Sequence, residues 1–167
     1  MTIDEINGLT HEDFIQRVGW VCEYSPWVSE RAWKSRPFDS LSALHSALVH
    51  EITGASEDEK LSLLKAHPDL GTKAKIAEAS RNEQASAGLD QLTPEEFTEL
   101  RSLNEAYKQC FGFPFLFAVK GSNKHEILAS LRFRIHRTRE MEFDEALGQI
   151  ANIIRFRLET IVDNQEQ

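Results

Sequence analysis

A histidine in the middle of the chain stands in a setting that suggests chemistry. His67 lies in the run Ala66-His67-Pro68-Asp69-Leu70, directly after a leucine-rich stretch. Proline disfavours helical backbone at the residue before it, so we expect His67 to be extended at the end of a helix. A helix C-terminus favours a protonated imidazole, as would the aspartate two residues on. His67 is therefore a candidate acid or base, and a surface or helix-capping histidine is the alternative.

A second polar run, Ser80-Arg81-Asn82-Glu83-Gln84, has two interpretations. Its serine and the glutamate three residues later have the form of a capping box, so the run could simply start a helix. Alternatively, its side chains could bind a planar heterocycle rich in N–H and C=O groups. Gln84 both donates and accepts hydrogen bonds, and Glu83 accepts them. The residues by themselves leave both interpretations open.

An aromatic run from Phe111 to Gly121 is the part of the chain that the pattern predicts to be extended. Gly112 and Pro114 interrupt it, and no second strand is predicted to pair with it. Extended backbone outside a sheet has N–H and C=O groups that need partners when buried, and a ligand could supply them. The alternative is a hydrophobic plug with internal water.

Arginines near the C-terminus fall into two groups. Arg157 lies close to the apolar face of the last predicted helix, where a cation needs an anion. That anion could be a buried structural partner, or a carboxylate or carbonyl of a substrate. The arginines that we interpret as a solvated basic patch, beside Glu140 and Glu142, are Arg132, Arg134, Arg137 and Arg139.

Metal and cofactor motifs are missing from the sequence. His45 and His50 are five residues apart, which does not stack two ligands on one helix face as a spacing of four would. Cys22 and Cys110 form no CxxC pair, and we interpret them as reduced thiols. There is no glycine-rich phosphate loop and no GxSxG motif. The sequence therefore predicts neither a metal nor an organic cofactor.

The elements that would position these residues are helices. Apolar spacing of three and four residues recurs along the chain, most clearly in the last helix. Its stripe is Phe143, Leu147, Ile150, Ile154, Leu158 and Ile161. The predicted N-caps are Thr10, Ser25 before Pro26, either Asp39 or Ser40, Ser56, and Thr93 before Pro94. We predict an all-α fold of about seven or eight helices, with one buried extended segment around residues 111–121.

Length and charge narrow the class of protein. The chain has 167 residues, with 19 Lys+Arg and 27 Asp+Glu, so its net charge is 19 − 27 = −8. This length predicts a single compact domain over residues 1–167. The acidic balance argues against nucleic-acid and anionic-membrane partners, and no apolar run approaches the roughly 20 residues of a membrane span. Since the N-terminus also lacks a signal-peptide pattern, we expect a soluble cytoplasmic protein.

Taken together and in order, these motifs resemble the 2-oxo-4-hydroxy-4-carboxy-5-ureidoimidazoline (OHCU) decarboxylase family. The resemblance extends from about residue 8 to residue 162. It is carried by His67-Pro68-Asp69-Leu70, Ser80-x-x-Glu83-Gln84, Ala87-Gly88-Leu89-Asp90, Leu103-Asn104-x-Ala106-Tyr107, Phe111-Gly112-Phe113-Pro114-Phe115 and Arg157-Leu158. The chain departs from the family in a short stretch between Asp69 and Ser80 and in Lys120, where several members have arginine. Neither departure touches a matched catalytic position.

The resemblance implies an activity and a set of site residues. The activity is cofactor-independent decarboxylation of OHCU to (S)-allantoin by a homodimer, after urate oxidase and hydroxyisourate hydrolase, with which it could associate. His67 and Glu83 match catalytic positions. The substrate-binding positions are matched by Pro68, Ser80, Gln84, Phe115, Leu116, Phe117, Ala118, Val119 and Arg157. The alternative function is a non-catalytic helical module that binds allantoin-like heterocycles.

Overall fold

The computed structural model describes residues 1–71 and 78–163, and the predicted all-α class is confirmed. These ranges contain nine α-helices and two short 3-10 helices, and no strand. The α-helices are α1 Ile3–Asn7, α2 His11–Val18, α3 Trp27–Ala32, α4 Leu41–Thr53, α5 Glu57–Lys65, α6 Glu78–Ser86, α7 Pro94–Phe111, α8 Lys124–Arg134 and α9 Arg139–Ile161. The 3-10 helices are Gly19–Val21 and Trp33–Ser35. No helix in the described ranges is long and apolar enough to cross a membrane.

Most predicted helix starts lie at the expected residues. The side chains of Thr10 and of Ser40, one of the two predicted alternatives for its helix, accept the expected backbone N–H bonds. Ser56 and Thr93 complete reciprocal capping boxes. The predicted cap at Ser25 is wrong, because α3 begins at Trp27 with Pro26 as its uncapped flanking residue. The Ser25 hydroxyl instead donates to the Glu23 carbonyl at 3.0 Å, an example of a local bond that competes with helix capping.

Contacts between residues group the chain into two compact units. The first unit comprises residues 1–66 and the chain from residue 151 on, and its fully buried residues include Phe14, Leu44 and Ile154. The second unit comprises residues 67–150 and is built around the aromatic side chains of Tyr107 and Phe115. The single domain over residues 1–167 stays a prediction.

Helix α9 belongs to the second unit up to Ile150 and to the first unit from Ala151 on. Its buried face is shifted by about one residue from the predicted apolar stripe. The buried residues are Glu142, Ala146, Ile150, Ile153, Ile154, Arg157 and Leu158, whereas Phe143, Leu147 and Ile161 are half-buried. A charged residue therefore lies near each end of the buried face.

Helix α7 is the long central element of the second unit. It begins with the Thr93 capping box and ends at Gly112, whose φ of 81° is the left-handed conformation common after helices. Its buried residues include Asn104 and Tyr107. Because Phe111 still belongs to this helix, the non-helical segment begins slightly later than predicted. From Phe113 to Val119 the chain is neither helix nor strand, and most of its residues are buried.

Candidate active site

The loop after α5 contains the candidate histidine. Helix α5 ends at Lys65 with Ala66 as its C-cap, and His67 follows with 7% of its surface exposed. The alternative of a surface histidine is therefore wrong. Gly71, four residues after His67, has a φ of +71°, and its absent Cβ would lie 2.5 Å from Cδ2 of Leu100. A glycine is required here by both the backbone conformation and the close approach.

Three side chains tie this loop to neighbouring helices of the second unit. Oε1 of Gln84 accepts a hydrogen bond from the Gly71 N–H at 2.9 Å, and Nδ2 of Asn104 donates to the Leu70 carbonyl at 3.0 Å. Nζ of Lys108 lies 2.8 Å from a carboxylate oxygen of Asp69. The Asp69 charge, which we expected to favour a protonated His67, is thus paired with Lys108.

Helix α6 carries the second polar run. Ser80 lies inside the helix, not at its start, so the capping interpretation of Ser80 is wrong. Ser80 and Gln84 are 5% and 7% exposed, and Glu83 is half-buried. Residues four apart share a helix face, so a hydroxyl and an amide lie on one buried side of α6.

Asn104 is a polar residue that the sequence indicated only through the family motif Leu103-Asn104-x-Ala106-Tyr107. It is 5% exposed, and its Oδ1 has no hydrogen-bond partner among the described residues. A buried acceptor without a partner costs free energy, roughly 1–3 kcal/mol. The sequence signal for its burial was an amide spaced four residues after Leu100 and three before Tyr107, on the same face of a helix.

The segment from Phe115 to Val119 is neither helix nor strand, and side chains of the protein bind part of its backbone. The rings of Phe115 and Phe117 are stacked with centroids 6.2 Å apart, as expected for side chains two residues apart on an extended chain. Nη1 of Arg134 donates to the Leu116 carbonyl at 2.7 Å, and the Ala118 N–H donates to Oε1 of Gln149 at 2.8 Å.

A buried charged cluster adjoins this segment and corrects the predicted basic patch. Arg134 is 3% exposed and Glu142 is fully buried, so neither is solvated. Oε1 of Glu142 accepts from Nε of Arg134 at 2.7 Å and from the Tyr107 hydroxyl at 2.6 Å. Its other oxygen lies 3.1 Å from Nη1 of Arg137. Burial, reinforced by the bond to Glu142, raises the pKa of Tyr107 well above its usual range.

The sequence contained a signal for this cluster. Arg134 follows the buried Ile127 by seven residues and the buried Leu131 by three, which places it on the same face of α8. Of the predicted patch, Arg132 is exposed and pairs with Glu99. The many charges of this run suggested a solvated patch, although the position of Arg134 on α8 is on the buried face.

Arg157 lies in the first unit and is 3% exposed. Its Nη1 lies 2.7 Å from Oε2 of Glu23, which is also buried, and donates to the Val21 carbonyl at 3.3 Å. The centre of its guanidinium is 6.0 Å from the centre of the Trp20 ring. A buried structural partner, one of the two predicted alternatives, is therefore present. Burial raises the pKa of the Cys22 thiol in the same unit to about 12, although the charge of Arg157 lowers it.

The predicted site residues are thus divided between the units. Arg157 belongs to the first unit, and the remaining ten belong to the second. Within the second unit, α7 connects two parts of the candidate site, because Asn104 bonds the loop after His67 and the Tyr107 ring packs on Phe115 at 5.5 Å. Among the described residues, no group of three or more His, Cys, Asp or Glu side chains could hold a metal ion.

These features define an all-α protein with a candidate small-molecule site made of imidazole, hydroxyl and amide side chains. The family model for OHCU decarboxylase matches residues 7–159. A 2-oxo-4-hydroxy-4-carboxy-5-ureidoimidazoline decarboxylase of Halalkalicoccus jeotgali is 40% identical over 161 residues, which is 96% of this chain and 92% of that protein. This chain belongs to the OHCU decarboxylase family.

Two further comparisons relate the chain to longer proteins. The uric acid degradation bifunctional protein of Bacillus subtilis is 41% identical over 96% of this chain and 33% of its own length. The crystal structure of an (S)-allantoin synthase superposes with a TM-score of 0.81 at 32% identity, over 98% of this chain and 55% of that one. Sequences similar to this chain therefore occur both in proteins of about its length and within longer proteins.

Proposed function

We propose that this protein decarboxylates OHCU to (S)-allantoin, and that it is therefore a carboxy-lyase. The observation that carries the proposal is the family match over residues 7–159, together with a 40% identical decarboxylase of nearly the same length. The buried imidazole, hydroxyl and amide groups of the second unit support it, because they can orient a small polar heterocycle.

The chemistry of the substrate explains how such a site can work without an organic cofactor. In OHCU the carboxylate leaves from a ring carbon next to a C=N carbon. When the C–C bond breaks and CO₂ departs, the electron pair flows into that C=N group, so the substrate is its own electron sink. The protein must orient the ring, stabilise charge and deliver a proton to one face. Orientation can supply about 7–11 kcal/mol of the barrier in favourable cases.

His67 holds the substrate's hydroxyl or carboxylate and moves the proton in this proposal. Its low exposure supports the role, and so does the anchoring of the loop that follows it by Gln84 and Asn104. A positioned acid or base contributes about 10²–10⁴-fold to a rate. Pro68 lines the same site beside it.

The groups on α6 fix the ring and the ureido group. Ser80 and Gln84 share a buried face of α6. Oε1 of Gln84 accepts a hydrogen bond from the Gly71 N–H, so the NH₂ group of Gln84 is the part that donates to a ligand carbonyl. Glu83 accepts from ligand N–H groups. The backbone of the segment Phe115, Leu116, Phe117, Ala118 and Val119 contacts the ligand carbonyls through groups other than the Ala118 N–H, which donates to Gln149. In this proposal Arg157 holds the anionic end of the ligand, because it is a buried cation.

A coupled assay tests the activity. The protein is added to urate with urate oxidase and hydroxyisourate hydrolase, and optical rotation is followed. We expect faster formation of one allantoin enantiomer. Slow formation of racemic product alone would contradict the decarboxylase and favour the heterocycle-binding module.

A substitution tests the role of His67. We expect His67→Asn to lower the rate with freshly generated OHCU by about 10²-fold or more, because it removes the proton-transfer group. His50→Asn, on the exposed surface of α4, is the matched control and should keep the wild-type rate. An unchanged rate in His67→Asn would refute the role given to this residue.

The cellular setting is also a proposal. We propose a cytoplasmic homodimer that works after urate oxidase and hydroxyisourate hydrolase. The free thiols of Cys22 and Cys110 support a reducing compartment. The uric acid degradation protein of Bacillus subtilis, which contains a similar unit, supports the pathway. Analytical ultracentrifugation of the purified protein tests the dimer, and a sedimentation coefficient of the monomer would contradict it.

A further inference from the structure

The stacked rings of Phe115 and Phe117 indicate that the chain between α7 and α8 is extended at these residues, and the protein binds one of its two edges. In an extended chain the N–H and C=O groups of alternate residues point to the same side. The Leu116 carbonyl and the Ala118 N–H therefore lie on one edge, where Arg134 and Gln149 bind them. The groups of Phe117 lie on the opposite edge.

Arg134 is fixed by two hydrogen bonds and a contact with an aromatic ring. Its Nε donates to Glu142, its Nη1 donates to the Leu116 carbonyl, and its guanidinium centre lies 4.4 Å from the centre of the Phe115 ring. Glu142 is oriented in turn by the Tyr107 hydroxyl. A guanidinium held through several directions has a single orientation, which a lysine in its place could not reproduce.

We propose that Arg134 is a positioning residue that fixes the Leu116 peptide and so presets the opposite edge of residues 115–119 for the ligand. This inference rests on the proposed function for its catalytic consequence, but not for its structural one. Arg134 does not contact the substrate. It acts by keeping the ligand-facing amides and carbonyls in one arrangement before binding, which lowers the ordering cost of binding.

Variants on one helix test the inference. Arg134→Met removes the donors and keeps the length of the side chain, and Arg134→Lys keeps the charge but not the forked geometry. Arg132→Met, two residues earlier and exposed, is the matched control. Hydrogen exchange of peptides covering residues 113–121 is measured without ligand, with peptides from α4 as an internal reference.

We expect exchange over residues 113–121 to become about tenfold faster in both Arg134 variants, with α4 unchanged. With OHCU, kcat should fall by about 10²-fold and the enantiomeric purity of the allantoin should drop, because a misplaced substrate reacts poorly. Arg132→Met should match the wild type in every measurement.

Three outcomes are distinguishable. A folded Arg134→Met with wild-type exchange over residues 113–121 overturns the inference, whatever the activity of the protein. If Arg134→Met does not fold, Arg134→Lys decides, and wild-type exchange and kcat in that variant overturn the inference. If the wild type itself does not decarboxylate OHCU, the proposed function fails, and the exchange comparison still judges Arg134.

Discussion

Glu23 and Glu142 are buried acids, and each is paired with a buried arginine. Glu23 pairs with Arg157, a predicted site residue far away in the sequence, and Glu142 pairs with Arg134, which is not a predicted site residue. The position of Arg157 on the last helix was predictable, because it lies beside apolar residues at helical spacing. Its partner was not, since Glu23 is 134 residues away in the sequence and nothing local connects them. For Arg134, the helical position was informative and the surrounding charges misled.

Removing the Glu23 carboxylate should destabilise the protein strongly. Glu23→Ala leaves the Arg157 cation buried without its acid, which typically costs about 3–5 kcal/mol. Arg155→Ala, on the same helix in a half-exposed pair with Glu159, is the control and should cost less than about 1 kcal/mol. Urea unfolding measures both, and similar values for the two variants would contradict the prediction.

At the scale of elements, the loop from His67 to Gly71 depends on its glycine. Gly71→Ala should destabilise the protein and weaken (S)-allantoin binding, because the new Cβ meets Leu100 and the backbone has a positive φ. Gly88→Ala is the matched control, since Gly88 also has a positive φ but nothing lies within 4 Å of its Cβ position. The left-handed conformation costs each alanine about 1–2 kcal/mol.

The excess of Gly71→Ala over Gly88→Ala therefore measures the contact with Leu100. Urea unfolding gives the stability of each variant, and calorimetric titration with (S)-allantoin gives the affinity. Equal losses of stability in the two variants would show that the close approach has no energetic role.

The capping box of α7 also responds to pH. Lys124 first, and then the backbone of Thr93, lower the pKa of Glu96 from 4.5 to about 2. A carboxyl with a lowered pKa in the folded state stabilises the fold above its unfolded pKa, and this contribution disappears as the pH falls toward the folded value. We therefore expect Glu96→Gln to be less stable than the wild type at neutral pH.

The difference should shrink as the pH falls from about 5 to about 2, where the wild-type carboxyl becomes protonated. Thermal unfolding of both proteins across this range measures it. Glu95→Gln, at the exposed neighbouring position, is the control and should show little difference at any pH. A Glu96→Gln difference that does not change with pH would contradict the prediction.

The sequence predicted the starts of those helices whose first N–H groups are bound by a nearby side chain. Thr10, Ser40, Ser56 and Thr93 cap their helices as predicted, because a hydroxyl followed by a helical stretch satisfies the first free N–H groups. Ser80 matched the same pattern but lies within α6, since the pattern cannot tell the residue before a helix from one in its first turn. The partners of residues 115–119 come from α8 and α9, and such distant contacts have no local signature.

At the scale of the whole molecule, helix α9 is shared between the two units. Unfolding of either unit would leave part of this helix without its packing. We therefore expect a single cooperative transition, with the same midpoint by tryptophan fluorescence and by far-UV circular dichroism. Separate midpoints for the two signals would contradict this and the predicted single domain.

The contact between Trp20 and Arg157 gives the protein an intrinsic optical reporter. All three tryptophans, Trp20, Trp27 and Trp33, lie in the first unit, whereas the other proposed site residues lie in the second. If Arg157 binds the anionic end of the ligand, titration should change the emission of Trp20, which is 41% exposed. Trp20→Phe should abolish that signal while calorimetry still detects binding. Emission that stays constant on binding would contradict the binding of the ligand by Arg157, and this test needs no measurement of catalysis.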